Sequence, residues 1–191
     1  EFTARLRQHA AEIIATTRAL ARLELIFSKA EFALEFRCVV PRLSGVGPRR
    51  MILKEARHPL LEDILRKQHK AVVPVTFDLD GLQHTLLISG PNTGGKTVTL
   101  KTAGLLALMA HAGLPVPAAD AEFPLFDEVL ADIGDHQSIQ ESLSTFSAHI
   151  VSIRTMLERA TPDSLVLIDE LGRATDPEEG GALGVAVLDA F

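Results

Sequence analysis

The eight residues Gly90-Pro91-Asn92-Thr93-Gly94-Gly95-Lys96-Thr97 narrow most sharply what this chain can fold into. They fit the pattern G-x-x-x-x-G-K-[ST], with a β-rich run at Thr85–Ser89 before them and a helical run to about Ala112 after them. A glycine-rich turn of this spacing lets backbone N–H groups converge at a helix N-terminus, where the helix dipole also favours negative charge. It is a cradle for phosphate. In it, Lys96 reaches the β- and γ-phosphates of a nucleoside triphosphate and the Thr97 hydroxyl ligates Mg²⁺, with Gly90 to Gly95 and Val98 completing the binding set. The bland alternative is a glycine-rich turn that holds nothing.

A second feature belongs with the first. Leu165–Ile168 is a continuous apolar run bounded by Pro162 and Asp169, the mark of a buried strand, and it ends in the carboxylate pair Asp169-Glu170. This is the Walker B arrangement of an ATPase: Asp169 is placed to hold Mg²⁺ and Glu170 to orient and polarise the attacking water. Taken alone the pair would be a solvated strand end. About 70 residues after a phosphate loop, in a chain where strands and helices alternate, it reads as catalytic. The alternation predicts an α/β fold with a mostly parallel sheet, a P-loop NTPase. Its expected elements are β-rich runs at Met51–Lys54, Val72–Leu79 and Thr85–Ser89, a strand at Phe126–Ile133 and a helix from about Ser144 to Arg159. A last helix is expected to open near Pro177.

Ahead of this body, no Pro or Gly interrupts Phe2 to Phe36, and Leu6, Ala10, Ile13, Thr17, Leu20, Phe27, Ala30 and Leu34 recur at helical steps. The pattern predicts one long amphipathic helix over residues 1–40, a linker over 41–50 marked by Pro41, Gly45, Gly47 and Pro48, and a nucleotide domain over 51–191. Such a helix is too long for a small domain to cover, so the chain reads as a piece of a larger protein. No apolar stretch approaches the roughly 20 residues of a membrane span, and no signal peptide is visible. A single cysteine, Cys38, cannot form an internal disulfide, which fits a cytoplasmic protein. The histidines His9, His69, His84, His111 and His149 show no metal-ligand spacing with Cys38 or one another and read as ordinary surface or core residues.

Charge divides the chain. Residues 1–70 hold 14 Lys/Arg against 8 Asp/Glu, whereas residues 71–191 hold 5 against 17. The basic part suits either an anionic partner or plain solvated faces, and the acidic body argues against a surface that grips nucleic acid throughout.

Gly90–Thr97, Asp132-Ile133-Gly134, Ser144-Thr145-Phe146 and Asp169-Glu170-Leu171-Gly172 together resemble the ATPase domain of the MutS family. Within it, Gly90 to Thr102, Gln137-Ser138-Ile139, Ser142 to Ser147 and Thr175-Asp176-Pro177 are similar to the second bacterial branch, MutS-two, with the similarity reaching back through Arg57-His58-Pro59. Arg173 is closer to the mismatch-recognising branch. The resemblance implies an ABC-type ATPase that uses ATP and Mg²⁺ and pairs head to tail as a homodimer. Ser138 to Ser147 would be the signature loop, with Ser144 facing the partner's γ-phosphate. Plain helix capping is the alternative for Ser144, and for Gln137 the alternatives are a sensor of Mg²⁺ and the γ-phosphate or a surface loop. The Val72-Val73 region stands where mismatch-repair relatives stack an aromatic on adenine.

The implied function is to couple ATP turnover to clamping of branched DNA, and so to suppress recombination, or to ribosome rescue, with DNA held through other domains and no membrane involved. The family's switch histidine and the branch's nuclease-like domain would lie beyond Phe191. The alternative is a nucleotide-dependent interaction module that binds without turnover.

Overall fold

The computed structural model describes residues 2–45, 49–80, 83–91, 94–134, 142–172 and 176–191. In chain order the elements are α1 (Phe2–Gln8), α2 (Ala10–Glu35), β1 (Arg42–Ser44), β2 (Met51–Ala56), α3 (Pro59–Lys67) and β3 (Val75–Leu79). They continue with α4 (Lys96–His111), β4 (Asp120–Pro124), β5 (Glu128–Asp132), α5 (Ser142–Arg159), β6 (Ser164–Ile168) and α6 (Pro177–Ala190).

Helix α4 organises the interior. Its Leu106, Ala107 and Ala110 are buried against Met51, Leu53 and Ala56 of β2 and Ala121 and Phe123 of β4, with Val116 and Ala118 from the connecting turn. On another side Gly104 packs directly on Leu167 of β6, so α4 joins two sheets. One is four-stranded in the order β1-β4-β2-β3 and the other is the pair β5-β6.

The expectation of a mostly parallel sheet is met only by β1-β4 and by β5-β6, because β2 runs antiparallel to both β3 and β4. The alternation was already a sign of this. Val75, Phe77 and Leu79 turn inward while Thr76 and Asp78 face solvent, the half-exposed pattern that antiparallel strands tolerate and doubly covered parallel ones do not. By contrast β5, α5 and β6 form the expected parallel crossover, with Glu128 to Asp132 opposite Ser164 to Ile168.

Two further expectations change. Residues 83–89 lie outside every named strand and leave Leu86 and Leu87 exposed; a β-rich run becomes a strand only where a neighbouring edge supplies its ladder. Within the stretch read as a linker, Arg42–Ser44 forms β1 beside β4, held by Arg42, which donates to Asp120 at 2.9 Å and Glu122 at 3.1 Å. With Lys54 3.3 Å from Asp120 and Arg49 2.8 Å from Asp163, part of the basic excess of residues 1–70 faces acids of this same chain.

The long helix is interrupted at His9, whose N–H donates to Leu6 three residues back, the tighter spacing that separates α1 from α2. None of α2 is buried, and Leu20, Phe27 and Leu34 are 61%, 71% and 82% exposed. Its C-terminal end, however, is firmly joined. The Arg57 guanidinium donates to the carbonyls of Phe36 (2.8 Å) and Arg37 (3.1 Å) and to both carboxylate oxygens of Glu62 (2.8 and 3.1 Å). Arg66 of α3 reaches Glu35 and lies 5.4 Å from the Phe36 ring centroid. Burial among these groups pushes the neighbouring Cys38 thiol up to about 11, so it stays protonated at neutral pH.

Beside Arg57, His58 caps α3: Nδ1 accepts from the Leu61 N–H at 3.4 Å, and Pro59 follows in the first turn. After β6, Gly172 has φ 81°, and a Cβ there would lie 2.4 Å from the Gly180 carbonyl oxygen, so the turn admits no side chain. That contact brings α6 close, and Asp176 caps it by accepting from the Glu178 N–H at 3.0 Å.

Two outcomes follow from this joint. Arg57 and Glu62 are 11% and 15% exposed, and removing one member of such a pair strands the other, so Arg57→Ala is expected to lower stability by about 3 kcal/mol. Chemical denaturation with proteolysis around residues 36–38 measures it, and an unshifted midpoint would show that the guanidinium does not hold the joint. At His58, burial first and Lys101 second hold the imidazole below its ordinary value. Its contribution is therefore complete above the unfolded pKa near 6.5 and is lost as pH falls from there through the lowered folded value. Protonation also removes the Nδ1 acceptor. Melting curves from pH 7.5 to 5 should fall less steeply for His58→Asn, which keeps a cap but does not titrate; equal slopes would refute the assignment.

Candidate nucleotide-binding site

The described residues of the glycine-rich stretch lead into the start of α4. Gly94 N–H donates to the Pro91 carbonyl at 2.9 Å, and Gly95 takes the left-handed φ of 78° immediately before the helix. No atom lies within 4 Å of where a Cβ on Gly95 would sit, so backbone conformation and not crowding favours glycine there. Lys96, the first helical residue, folds its side chain back and donates from Nζ to the Gly90 carbonyl at 2.5 Å. The ammonium group thus closes the loop onto itself at the N-terminus of a helix whose first N–H groups have no intrahelical acceptors. Thr97 and Val98 are half-buried in the first turn of α4, and the Val98 carbonyl accepts from the Thr102 hydroxyl at 2.7 Å.

At the end of β6 the chain turns sharply. Asp169 and Glu170 are both half-buried, and the Asp169 N–H donates to the Asp132 carbonyl at 2.9 Å, carrying the β5-β6 pairing one residue past the strand. Glu170 has φ 53°, a left-handed conformation that a residue with a long side chain rarely adopts. A conformation of this kind costs of order 1 kcal/mol and persists where surrounding structure over-determines it; Arg37, Glu55 and His69 adopt it as well. It could not have been read from the residue order, since Asp-Glu-Leu-Gly fits many turns.

The predicted residues are thus arranged in two groups: Gly90, Pro91, Gly94, Gly95 and Lys96 in the loop, and Asp169 with Glu170 beyond β6. Asn92, Thr93, Gln137, Arg173 and Thr175 lie outside the described residues, and Ser144 falls in the first turn of α5. One pair was missed in the residue order. His149 of α5 places Nδ1 2.6 Å from Oδ2 of Asp132, the residue whose carbonyl holds Asp169. The signal available beforehand was weak: a histidine on a helix and an acid at a strand end, 17 residues apart.

A polar cavity of about 580 Å³ lies elsewhere, lined by Arg37, Arg57, Glu62, Arg66, Lys70 and Val72, beneath the joint with α2. It includes the Val72 position that the resemblance associates with adenine. Among the described residues no helix is long and apolar enough to cross a membrane.

Comparison with known proteins accords with this arrangement. Residues 86–191 match the family described as MutS domain V. A protein called endonuclease MutS2 from Geobacillus sp. (strain WCH70) is 47% identical over 190 residues, 99% of this chain and 23% of that protein. Proteins of the same name from Geobacillus kaustophilus (53% identical over 175 residues, 91% of this chain and 21% of that protein) and Carboxydothermus hydrogenoformans (48% over 190 residues, 99% and 23%) are similar. The chain therefore spans about a quarter or less of the length of these relatives. With a glycine-rich segment opening α4, a parallel β5-α5-β6 unit ending in paired carboxylates, and these matches, the chain belongs to the MutS domain V family and is of the MutS2 type.

Proposed function

We propose that this chain is the ATP-binding and hydrolysing domain of a MutS2-type protein. The observation that carries the reading is the loop itself: the N-terminus of α4, reached through left-handed Gly95, and the Lys96 ammonium drawn over the turn bring two sources of positive potential to one point. A triphosphate bound there would replace the Gly90 carbonyl as the acceptor for Lys96, and the loop's N–H groups would take the remaining phosphate oxygens. The donor set also suits Mg²⁺, because the Thr97 hydroxyl and the Asp169 carboxylate are hard oxygen ligands. Bound to them, the ion would offset charge on the β- and γ-phosphates. Glu170, held by its strained turn, orients and polarises the attacking water.

In the intact protein a second copy completes the site through Ser144 at the start of α5, so turnover per molecule rises with concentration as the homodimer forms. A chain that binds without turnover would show none at any concentration. The net charge of −6 supports DNA contact through other parts of the protein, where ATP turnover in the cytoplasm would drive clamping of branched DNA and suppress recombination. Ribosome rescue is the second outcome of the same cycle, and a pull-down under ATP and ADP distinguishes the two.

Calorimetry of ATP with Mg²⁺ tests the loop. Lys96→Ala should weaken binding at least about tenfold, since a charge-assisted contact to phosphate is removed, and unchanged affinity would move the nucleotide elsewhere. Glu170→Gln should leave that affinity nearly unaltered while lowering kcat by about 100-fold or more in a steady-state assay. Persistent turnover would take the role of base away from Glu170.

A further inference from the structure

His149 and Asp132 are only 14% and 10% exposed, and they meet at ion-pair distance, 2.6 Å between Nδ1 and Oδ2. The approach falls outside hydrogen-bond alignment: Asp132 Oδ2 and His149 Nε2 are both buried and make no hydrogen bond among the described residues. Desolvating two such groups without satisfying them is expensive, and an apolar pair would hold a helix on a strand at least as well. The pair therefore invites an explanation beyond packing, and its connections supply one. The side chain of Asp132 meets α5, while its carbonyl accepts from Asp169 N–H and its backbone is in register with Ile168. One residue thus touches the helix that begins at Ser142 and the turn that carries Asp169 and Glu170.

At the far end of the same helix and strand, Arg159 donates to Glu128 at 3.1 Å, a second clamp of α5 on β5, more exposed and away from the Asp169 turn. The two clamps have the same structural duty and differ in what lies beside them.

We infer that His149 is a positioning residue for turnover: through Asp132 it holds the start of α5 and the Asp169-Glu170 turn in one fixed relation. The inference rests on the ATPase reading above. A nucleotide closed between two copies requires the helix start of one and the carboxylate turn of each to keep their geometry, and a displacement of about 1 Å is enough to cost much of the rate while leaving affinity intact.

The test is a double-mutant cycle in the intact protein with His149→Gln, Asp132→Asn and their combination, and with Arg159→Gln as the control, measuring kcat, KM for ATP and thermal unfolding. Each single variant is expected to lower kcat by about tenfold or more with KM within about twofold, and the double variant to be no slower than the worse single. Arg159→Gln should turn over like the parent. Parent-like kcat in folded His149→Gln, losses that multiply in the double variant, a raised KM with kcat preserved, or an equal loss in Arg159→Gln would each overturn the inference. So would unfolding of both single variants with Arg159→Gln intact, which marks a purely structural pair; if only one unfolds, the other is read by the same kcat and KM criteria. These outcomes presuppose a parent that hydrolyses ATP, and a parent without turnover removes the ATPase reading and the inference together.

Discussion

Everything in this chain is arranged around the burial of α4. A helix that starts in a glycine turn could point anywhere, but Leu106, Ala107 and Ala110 are enclosed by β2 and β4, and Gly104 rests on Leu167 of β6. Fixing the helix body fixes its N-terminus. The glycine-rich segment before it inherits its orientation from apolar packing several residues downstream, where small side chains permit close approach on more than one side. The polar chemistry at Lys96 is therefore a consequence of a hydrophobic constraint, and of a second sheet placed against the same helix.

The other organising contact is the Arg57 joint. Arg57 and Glu62 are nearly buried, and Arg57 donates to the carbonyls of Phe36 and Arg37 just past the end of the exposed helix α2. Those carbonyls have no acceptor role left within the helix, so a guanidinium with a rigid set of donors is well matched to them. His58, next in sequence, caps α3 and lies close enough to Lys101 of α4 to feel its charge. A single turn of chain thus abuts the long helix on one side and α4 on the other.

Where the candidate residues fall in the fold was legible to the extent that the pattern is local. Gly90 to Thr97 lie within eight residues, and the left-handed Gly95 that opens α4 follows from the conformational freedom of glycine. The strand at Ser164–Ile168, the helix after Lys96 and the capped start of α6 followed from apolar runs, periodicity and Asp-Pro chemistry in the same way. What failed were statements about partners: the antiparallel placement of β2, the absence of residues 83–89 from the named strands, the β1 strand within a presumed linker, and the pairing of His149 with Asp132.

By itself, then, the residue order determined the glycine before α4, the alternation of elements and the carboxylate pair after an apolar strand, since each depends on backbone preferences and neighbours within a few positions. Only the tertiary structure decided which strands run alongside one another, that Glu170 sits in a left-handed turn, and that a nearly buried imidazole meets the residue holding Asp169. Those are properties of surfaces brought together from distant parts of the chain, where burial sets the energy of every polar contact, and no local pattern records which surfaces will meet.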